Sequence, residues 1–229
     1  MQSPCRILLL ALGVCLLFGP PPATSTPPQA PAPQGAQVQP RKTSPPYTGD
    51  LSIFEYKDRD QKLQVERVMD ILGIVKGKTV ADIGAGSGWF SVRAARRVTP
   101  TGLVYAVDIN PQAIQYIQQR VQREGIGNVR VVHGKPDDPL LPAESIDAVL
   151  LLKTYHEVAE PVALMKSLRK SLRPKARIGI IDRNGNGEDH GVSRDVVVRE
   201  AGEAGYRLVG DYNFVKSDGE DYFLVFEPR

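Results

Sequence analysis

Between about residue 60 and the end of the chain, two kinds of hydrophobic pattern alternate. Residues 79–83, 103–107, 129–133, 146–152 and 176–182 are strand-length runs rich in Val, Ile and Leu with little polar alternation. Such runs predict strands buried on both faces of a parallel sheet. Between them, residues 87–98, 111–124 and 160–172 carry apolar positions at helical spacing, and two more such stretches cover 60–72 and 193–204. Pro111 after Asn110 suits a first helical turn behind its cap, Gly125 suits a stop, and Ser193 is placed to cap the last helix. Strand then helix, repeated, predicts a doubly wound α/β sheet with right-handed crossovers. The rhythm breaks at the end, where runs 206–215 and 222–226 are joined only by KSDGED, the pattern of an edge hairpin.

The N-terminal part follows neither pattern. Arg6 precedes an apolar run from Ile7 to Phe18, followed by prolines and small residues. At about 12 residues the run is short of the roughly 20 needed to cross a bilayer, so it predicts an export signal over residues 1–25, cut after Ser25, rather than a permanent anchor. The expected destination is the periplasm or the exterior, with anchoring through this segment, or through lipid on Cys15, as the alternative. Residues 26–49, dominated by Pro, Ala, Gln, Ser and Thr, predict a disordered linker. Residues 50–229 are then one folded domain. Both cysteines, Cys5 and Cys15, fall in the signal, which leaves a processed chain without thiol chemistry. Composition adds exclusions: 41% hydrophobic and 24% charged residues rule out wholesale disorder and a fibrous repeat. A net charge of +3 with basic residues scattered among acids gives no nucleic-acid footprint.

The chemistry concentrates in VADIGAGSGWF, residues 80–90. In doubly wound sheets ligands bind beyond the carboxyl ends of the strands, where the strand order reverses. Gly84, Gly86 and Gly88 sit there, between the first strand and its helix. A nicotinamide dinucleotide is one candidate, but its fingerprint G-x-G-x-x-G would need glycine where Trp89 stands. Asp82 also argues against pyrophosphate and for a ligand with an ammonium group. Asp108 closes the second strand, where a carboxylate can accept from both hydroxyls of a ribose. A ribose joined to an amino acid points to S-adenosylmethionine.

With these residues in view, DIGAGSG followed by VDIN resembles the class I S-adenosylmethionine-dependent methyltransferases of small molecules, and the likeness runs from about residue 50 to 226. IDAVLLLKTYHEV and LRKSLRPKARIGIID are similar to the fourth and fifth strand region of that family. The resemblance implies strand order 3-2-1-4-5-7-6 with the last strand antiparallel. It implies that Asp82, Gly84, Gly86 and Gly88 hold the methionine part of the cofactor and Asp108 its ribose. It further implies that Asp137 or Asp138 meets the adenine amino group, and that the segment before the first helix folds over the cofactor so that Arg59 pairs with the methionine carboxylate. One departure is Pro174-Lys175-Ala176, where the family has Pro-Gly-Gly, which asks for a different turn before the fifth strand.

A sulfonium methyl is already activated, so the demands on the protein are in-line placement and exclusion of water, with a base only for a protonated acceptor. Tyr155, His156 and Glu157, just after the fourth strand, are the candidate catalytic residues. The imidazole could take a proton while the carboxylate orients it; equally, His156 could cap the next helix. His190, in NGNGEDHG, lies in a lid or a connector. His133, His156 and His190 lack a metal-ligand spacing, and no metal site is expected. The expected partner is a small-molecule methyl acceptor; a non-catalytic cofactor binder and an NAD-dependent oxidoreductase are the alternatives.

Overall fold

The computed structural model describes residues 41–216 and 220–229. The expected export signal, the linker up to residue 40 and the centre of the KSDGED turn lie outside the described residues. The elements run α1 (Arg59–Leu63), α2 (Val65–Ile71), β1 (Thr79–Ile83), α3 (Trp89–Val98), β2 (Leu103–Asp108), α4 (Pro111–Arg123), β3 (Val129–His133), β4 (Ile146–Leu152), α5 (Pro161–Ser171), β5 (Leu172–Arg183), α6 (Arg194–Glu203), β6 (Tyr206–Tyr212) and β7 (Asp221–Pro228). Among the described residues they form a seven-stranded sheet of order β3-β2-β1-β4-β5-β7-β6. Strands β1 to β5 are parallel, and β7 runs antiparallel between β5 and β6. The fold class expected from the alternation and the resemblance is the one observed.

The unbroken apolar strands are explained by burial on two sides. On β4, Val149 and Leu151 join one core cluster with Ile178, Ile180 and helices α5 and α6, while Ala148, Leu150 and Leu152 join another with α2 and α3. All five are buried. Order reverses between β1 and β4, because β1 pairs with β2 on one side and β4 on the other. That opens a crevice at their carboxyl ends.

Several boundaries differ from expectation for identifiable reasons. The single helix over 60–72 is two, α1 and α2, broken at Gln64, which has φ +47° and donates its side-chain N–H to the Phe214 carbonyl at 3.0 Å. Leu63 and Val65 both belong to the cluster beneath the sheet. On an unbroken helix they would point about 200° apart, so burying both requires the break. Ser193 makes no side-chain cap; the Arg194 N–H donates instead to Asn184 Oδ1 at 3.1 Å. Asn110 does cap α4, accepting from the Gln112 N–H at 2.9 Å.

Helix α5 passes directly into β5, which begins at Leu172 rather than 176. Pairing moves from Ile146–Leu172 to Ala148–Arg177, so β5 accommodates extra residues as a bulge at the position of the family's Pro-Gly-Gly, with Lys175 at φ +66°. Strand β6 ends at Tyr212, short of 215, after a register shift between Leu208 and Gly210. Beyond it Phe214 packs edge-on against Tyr212 and Phe223, and Val215 is fully buried.

Leu151 is fully buried at the sheet centre, whereas Leu208 on the β6 edge is 37% exposed. Leu151→Ala is expected to cost about 2–5 kcal/mol in urea unfolding, and Leu208→Ala less than about 0.5 kcal/mol. Similar costs for the two would contradict the two-sided core.

Candidate functional site

At the β1–β4 crevice the loop after β1 is built from three left-handed residues, Gly84 (φ +69°), Gly86 (+55°) and Gly88 (+71°). Their reasons differ. A Cβ on Gly84 would fall 2.3 Å from Thr154 Oγ1 and Cγ2, and one on Gly88 would fall 3.2 Å from Ile117, so these two let the loop close onto β4's end and helix α4. Gly86 meets only Phe54, at 3.7 Å, and leaves bare backbone toward open space. The loop is tied down from both neighbouring strands: the Gly84 and Ala85 N–H groups donate to the Val107 carbonyl at 2.8 and 3.0 Å, and the Thr154 hydroxyl donates to the Gly84 carbonyl at 3.3 Å.

This loop forms one wall of a cavity of about 360 Å³, a size typical of small-ligand sites. Asp82, Gly84, Gly86, Asp108 and Arg59 line it; Gly88 does not. Asp108 accepts the Gly86 N–H on one carboxylate oxygen at 2.8 Å and the Asn110 N–H on the other at 2.9 Å. With the Ile109 N–H as a third backbone donor, the carboxylate still keeps acceptor capacity for a further partner. Burial raises its pKa, partly offset by those backbone donors.

Asp82 is almost completely buried and accepts the Ser91 hydroxyl at 2.6 Å. Burial, and next the nearby Asp108 charge, push its pKa up to about 7 against the Ser91 hydrogen bond and the field of Arg59. Among the described residues it has no direct ion-pair partner, so its negative charge is under-compensated. A cationic ligand group would relieve that cost. Arg59 is itself buried, stacked 4.3 Å from the Trp89 ring centroid and donating to the Phe54 carbonyl, and burial lowers its pKa. Its held guanidinium is a ready site for an anionic group.

The acids expected at the adenine end are placed elsewhere. Neither Asp137 nor Asp138 lines the cavity; Lys135, Pro136 and Pro139 do. Asp138 is occupied in accepting the Ser167 hydroxyl of α5 and the Leu140 N–H, both at 2.9 Å. The turn is therefore braced by that side chain against α5.

The three candidate catalytic residues also separate. Only Glu157 lines the cavity. Burial raises its pKa to about 7, opposed by His156 and by the Tyr47 backbone N–H. Tyr155 is fully buried in the core cluster on the other side of the turn, beneath the Arg41 guanidinium at 5.1 Å, which corrects its expected place at the reacting centre. Its alternation with Glu157 around a single turn (Tyr155–Glu157) forces the two apart. His156 is 4% exposed. Its Nδ1 lies 2.8 Å from Asp182 Oδ1, and its backbone N–H donates to the other Asp182 oxygen at 3.0 Å. It caps nothing; an acid from the end of β5 holds it.

Asp182 escaped sequence reasoning, although it closes β5 as Asp82 and Asp108 close β1 and β2. The segment 41–49, read as linker, also contributes. Ser44 is buried, its N–H donating to the His156 carbonyl, and Arg41 reaches inward to Glu200 and to the carbonyls of Tyr155 and Val158 at 2.7 and 2.6 Å. Residues 43–47, with Leu51 and Phe54, form the apolar side of the cavity. Polar anchors rather than apolar periodicity hold this segment, which is why composition alone read it as unstructured.

Residues 74–198, more than half of the chain, match a family described as a methyltransferase domain. The chain belongs to this methyltransferase family. It is 28% identical over 109 residues to a demethylmenaquinone methyltransferase of Geobacillus kaustophilus, covering 48% of this chain and 47% of that one. To a nocamycin O-methyltransferase of Saccharothrix syringae it is 31% identical over 114 residues, covering 50% and 41%. The chain thus spans about half the length of the curated relatives it matches. A crystal structure of a SAM dependent methyltransferase from Aquifex aeolicus superposes with TM-score 0.70 at 24% identity, covering 78% of this chain and 98% of that one, and shares its fold.

Gly84→Ala is expected to cost at least about 2 kcal/mol, from the left-handed backbone and the clash with Thr154. In the Gly84→Ala/Thr154→Ala double variant, urea unfolding should recover part of the packing share while the backbone share remains. A stable Gly84→Ala single variant would contradict the loop geometry.

Proposed function

We propose that this protein transfers a methyl group from S-adenosylmethionine to a small, largely apolar acceptor. The observation that carries the reading is one cavity where a bare-backbone loop meets two buried carboxylates and a buried guanidinium. The residues fit the cofactor: Asp108 has acceptor positions left for a ribose diol, Asp82 needs a cation and suits the ammonium, and Arg59 suits the carboxylate. Lys135 and Pro136, rather than Asp137 or Asp138, flank the space left for the purine. When bound, the cofactor supplies an activated sulfonium methyl. A dinucleotide fits poorly, because pyrophosphate beside Asp82 would add to an under-compensated negative charge.

The acceptor side is supported by Pro45, Pro46, Leu51, Phe54, Val158 and Leu164, with Glu157 as its acidic group. These residues exclude water and position an apolar ring or chain, which are the main requirements for displacement at an activated methyl. Relatives named for quinone and O-methyl transfer agree with an acceptor of this kind. We also propose export, on the strength of Arg6 and the apolar run after it. Among the described residues no helix is long and apolar enough to cross a membrane.

Purified protein given labelled S-adenosylmethionine and a panel of hydroxylated aromatic and quinol acceptors should yield labelled product. Saturable binding of NAD without binding of S-adenosylmethionine would overturn the reading. Ionised Asp82 is the form that favours an ammonium, so affinity for S-adenosylhomocysteine is full above its pKa and falls as pH drops through about 7. Calorimetry should therefore show about fivefold weaker binding at pH 6 than at pH 7, with the dependence flattened in Asp82→Asn. An unchanged pH dependence in that variant would remove Asp82 from this role.

A further inference from the structure

His190 lies far along the chain from the adjacent His156 and Glu157, yet the fold brings one ligand atom from each within 4.8 Å of the others. His156 Nε2 lies 3.8 Å from Glu157 Oε1, and the two imidazoles meet edge to face with centroids 5.8 Å apart. We propose that this trio binds a divalent first-row transition cation, with Zn²⁺ the best match to two imidazoles and a carboxylate. This proposal departs from the expectation of no metal site that sequence spacing gave.

The argument rests on how the three side chains are held. The fully buried Asp182 carboxylate is 2.8 Å from His156 Nδ1 and also accepts the backbone N–H groups of His156 and Arg183. Its acceptor oxygen makes Nδ1 the protonated nitrogen and leaves the Nε2 lone pair directed toward Glu157 and His190. This carboxylate–imidazole pairing is the usual support behind a metal-bound histidine. His190 is not on a free loop: its N–H donates to the buried Ser44 hydroxyl at 3.0 Å, and that hydroxyl donates to the Gly187 carbonyl at 3.1 Å. The loop is further closed by the Asn186–Val192 bridge. His190 takes φ +57°, a conformation that costs energy for a non-glycine residue.

Ligand atoms around a bound zinc ion stand about 3–3.5 Å apart, given metal–ligand bonds of about 2.0–2.2 Å. The His156–Glu157 separation of 3.8 Å needs a contraction of under about 1 Å and the widest separation, up to 4.8 Å, one of about 1.3–1.8 Å, which the half-buried Glu157 and the exposed His190 side chains can supply. Nitrogen donors select against Mg²⁺ and Ca²⁺, which prefer oxygen alone. Three protein donors leave a coordination position open, as catalytic sites do. Since Glu157 also lines the cavity, an oxygen-bearing acceptor could occupy it.

The test uses the full chain, stripped with a chelator, titrated with ZnCl₂ in a calorimeter and with Co²⁺ followed by visible absorption. The expected result is one saturable equivalent and cobalt d–d bands. His190→Ala and Glu157→Gln should each weaken Zn²⁺ by at least about 100-fold and abolish the bands, while Asp182→Asn, acting through His156, should weaken it about 10- to 100-fold. His190 and Glu157 are at the surface or cavity wall, so their variants should keep the wild-type circular dichroism. Absence of saturable binding in the wild type, or binding that survives both His190→Ala and Glu157→Gln, would overturn the proposal.

Discussion

The site depends on one hydrogen bond between neighbouring strands: the Asp108 carboxylate at the end of β2 accepts the Gly86 N–H from the loop after β1 at 2.8 Å. It fixes where bare backbone faces the crevice, and it can exist only because β1 and β2 are parallel and in register, with Ile83 beside Val107. The same register lets Gly84 and Ala85 donate to Val107. Burial around this bond raises the pKa of both Asp82 and Asp108. Burial disfavours the charged form of both carboxylates, a pattern that functional sites concentrate. They are consistent with a site whose charge is completed by its ligand.

The opposite wall is organised differently. A short 3-10 helix, Leu51–Glu55, contributes Leu51 and Phe54 to it, and residues 41–47 are pinned by a few polar contacts, chiefly Arg41 on Glu200 and on two carbonyls, and Ser44 between the His156 turn and the His190 loop. The partly buried Arg41 guanidinium pairs with a buried partner, Glu200, whose pKa is raised by burial. Such a pair holds a segment in one place at little net gain in stability. Its effect is on position: it brings Pro45, Pro46 and Tyr47 over the cavity and orders the loop that carries His190 beside His156.

Much of this was legible in the chain because it follows from burial patterns. Two-sided apolar strands, helical spacing and the G-x-G-x-G loop predicted a doubly wound sheet, its crevice and the roles open to Asp82 and Asp108, while the strand order came from the resemblance to the methyltransferases. What the sequence did not reveal depends on side-chain direction or long-range contact. Tyr155, His156 and Glu157 are consecutive, yet a single turn sends one to the core, one to Asp182 and one to the cavity. Asp137 and Asp138 had the right composition, but Ser167 holds Asp138 away. Helix α1 separates from α2 because two nearby apolar residues share one cluster, a demand set by tertiary packing rather than by propensity. The anchoring of Arg41 and Ser44 leaves no periodic trace at all.

The most direct test of the two-carboxylate site is a chemical double-mutant cycle at Asp108. Calorimetry would compare S-adenosylhomocysteine with its 2′-deoxyribose analogue on wild-type protein and on Asp108→Asn. If Asp108 holds the ribose, removing the hydroxyl costs the wild type about 1.5–3 kcal/mol, the range for a hydrogen bond to a charged group, and costs the variant much less, giving a clear coupling energy. Equal losses on both proteins would place the ribose elsewhere and contradict the account.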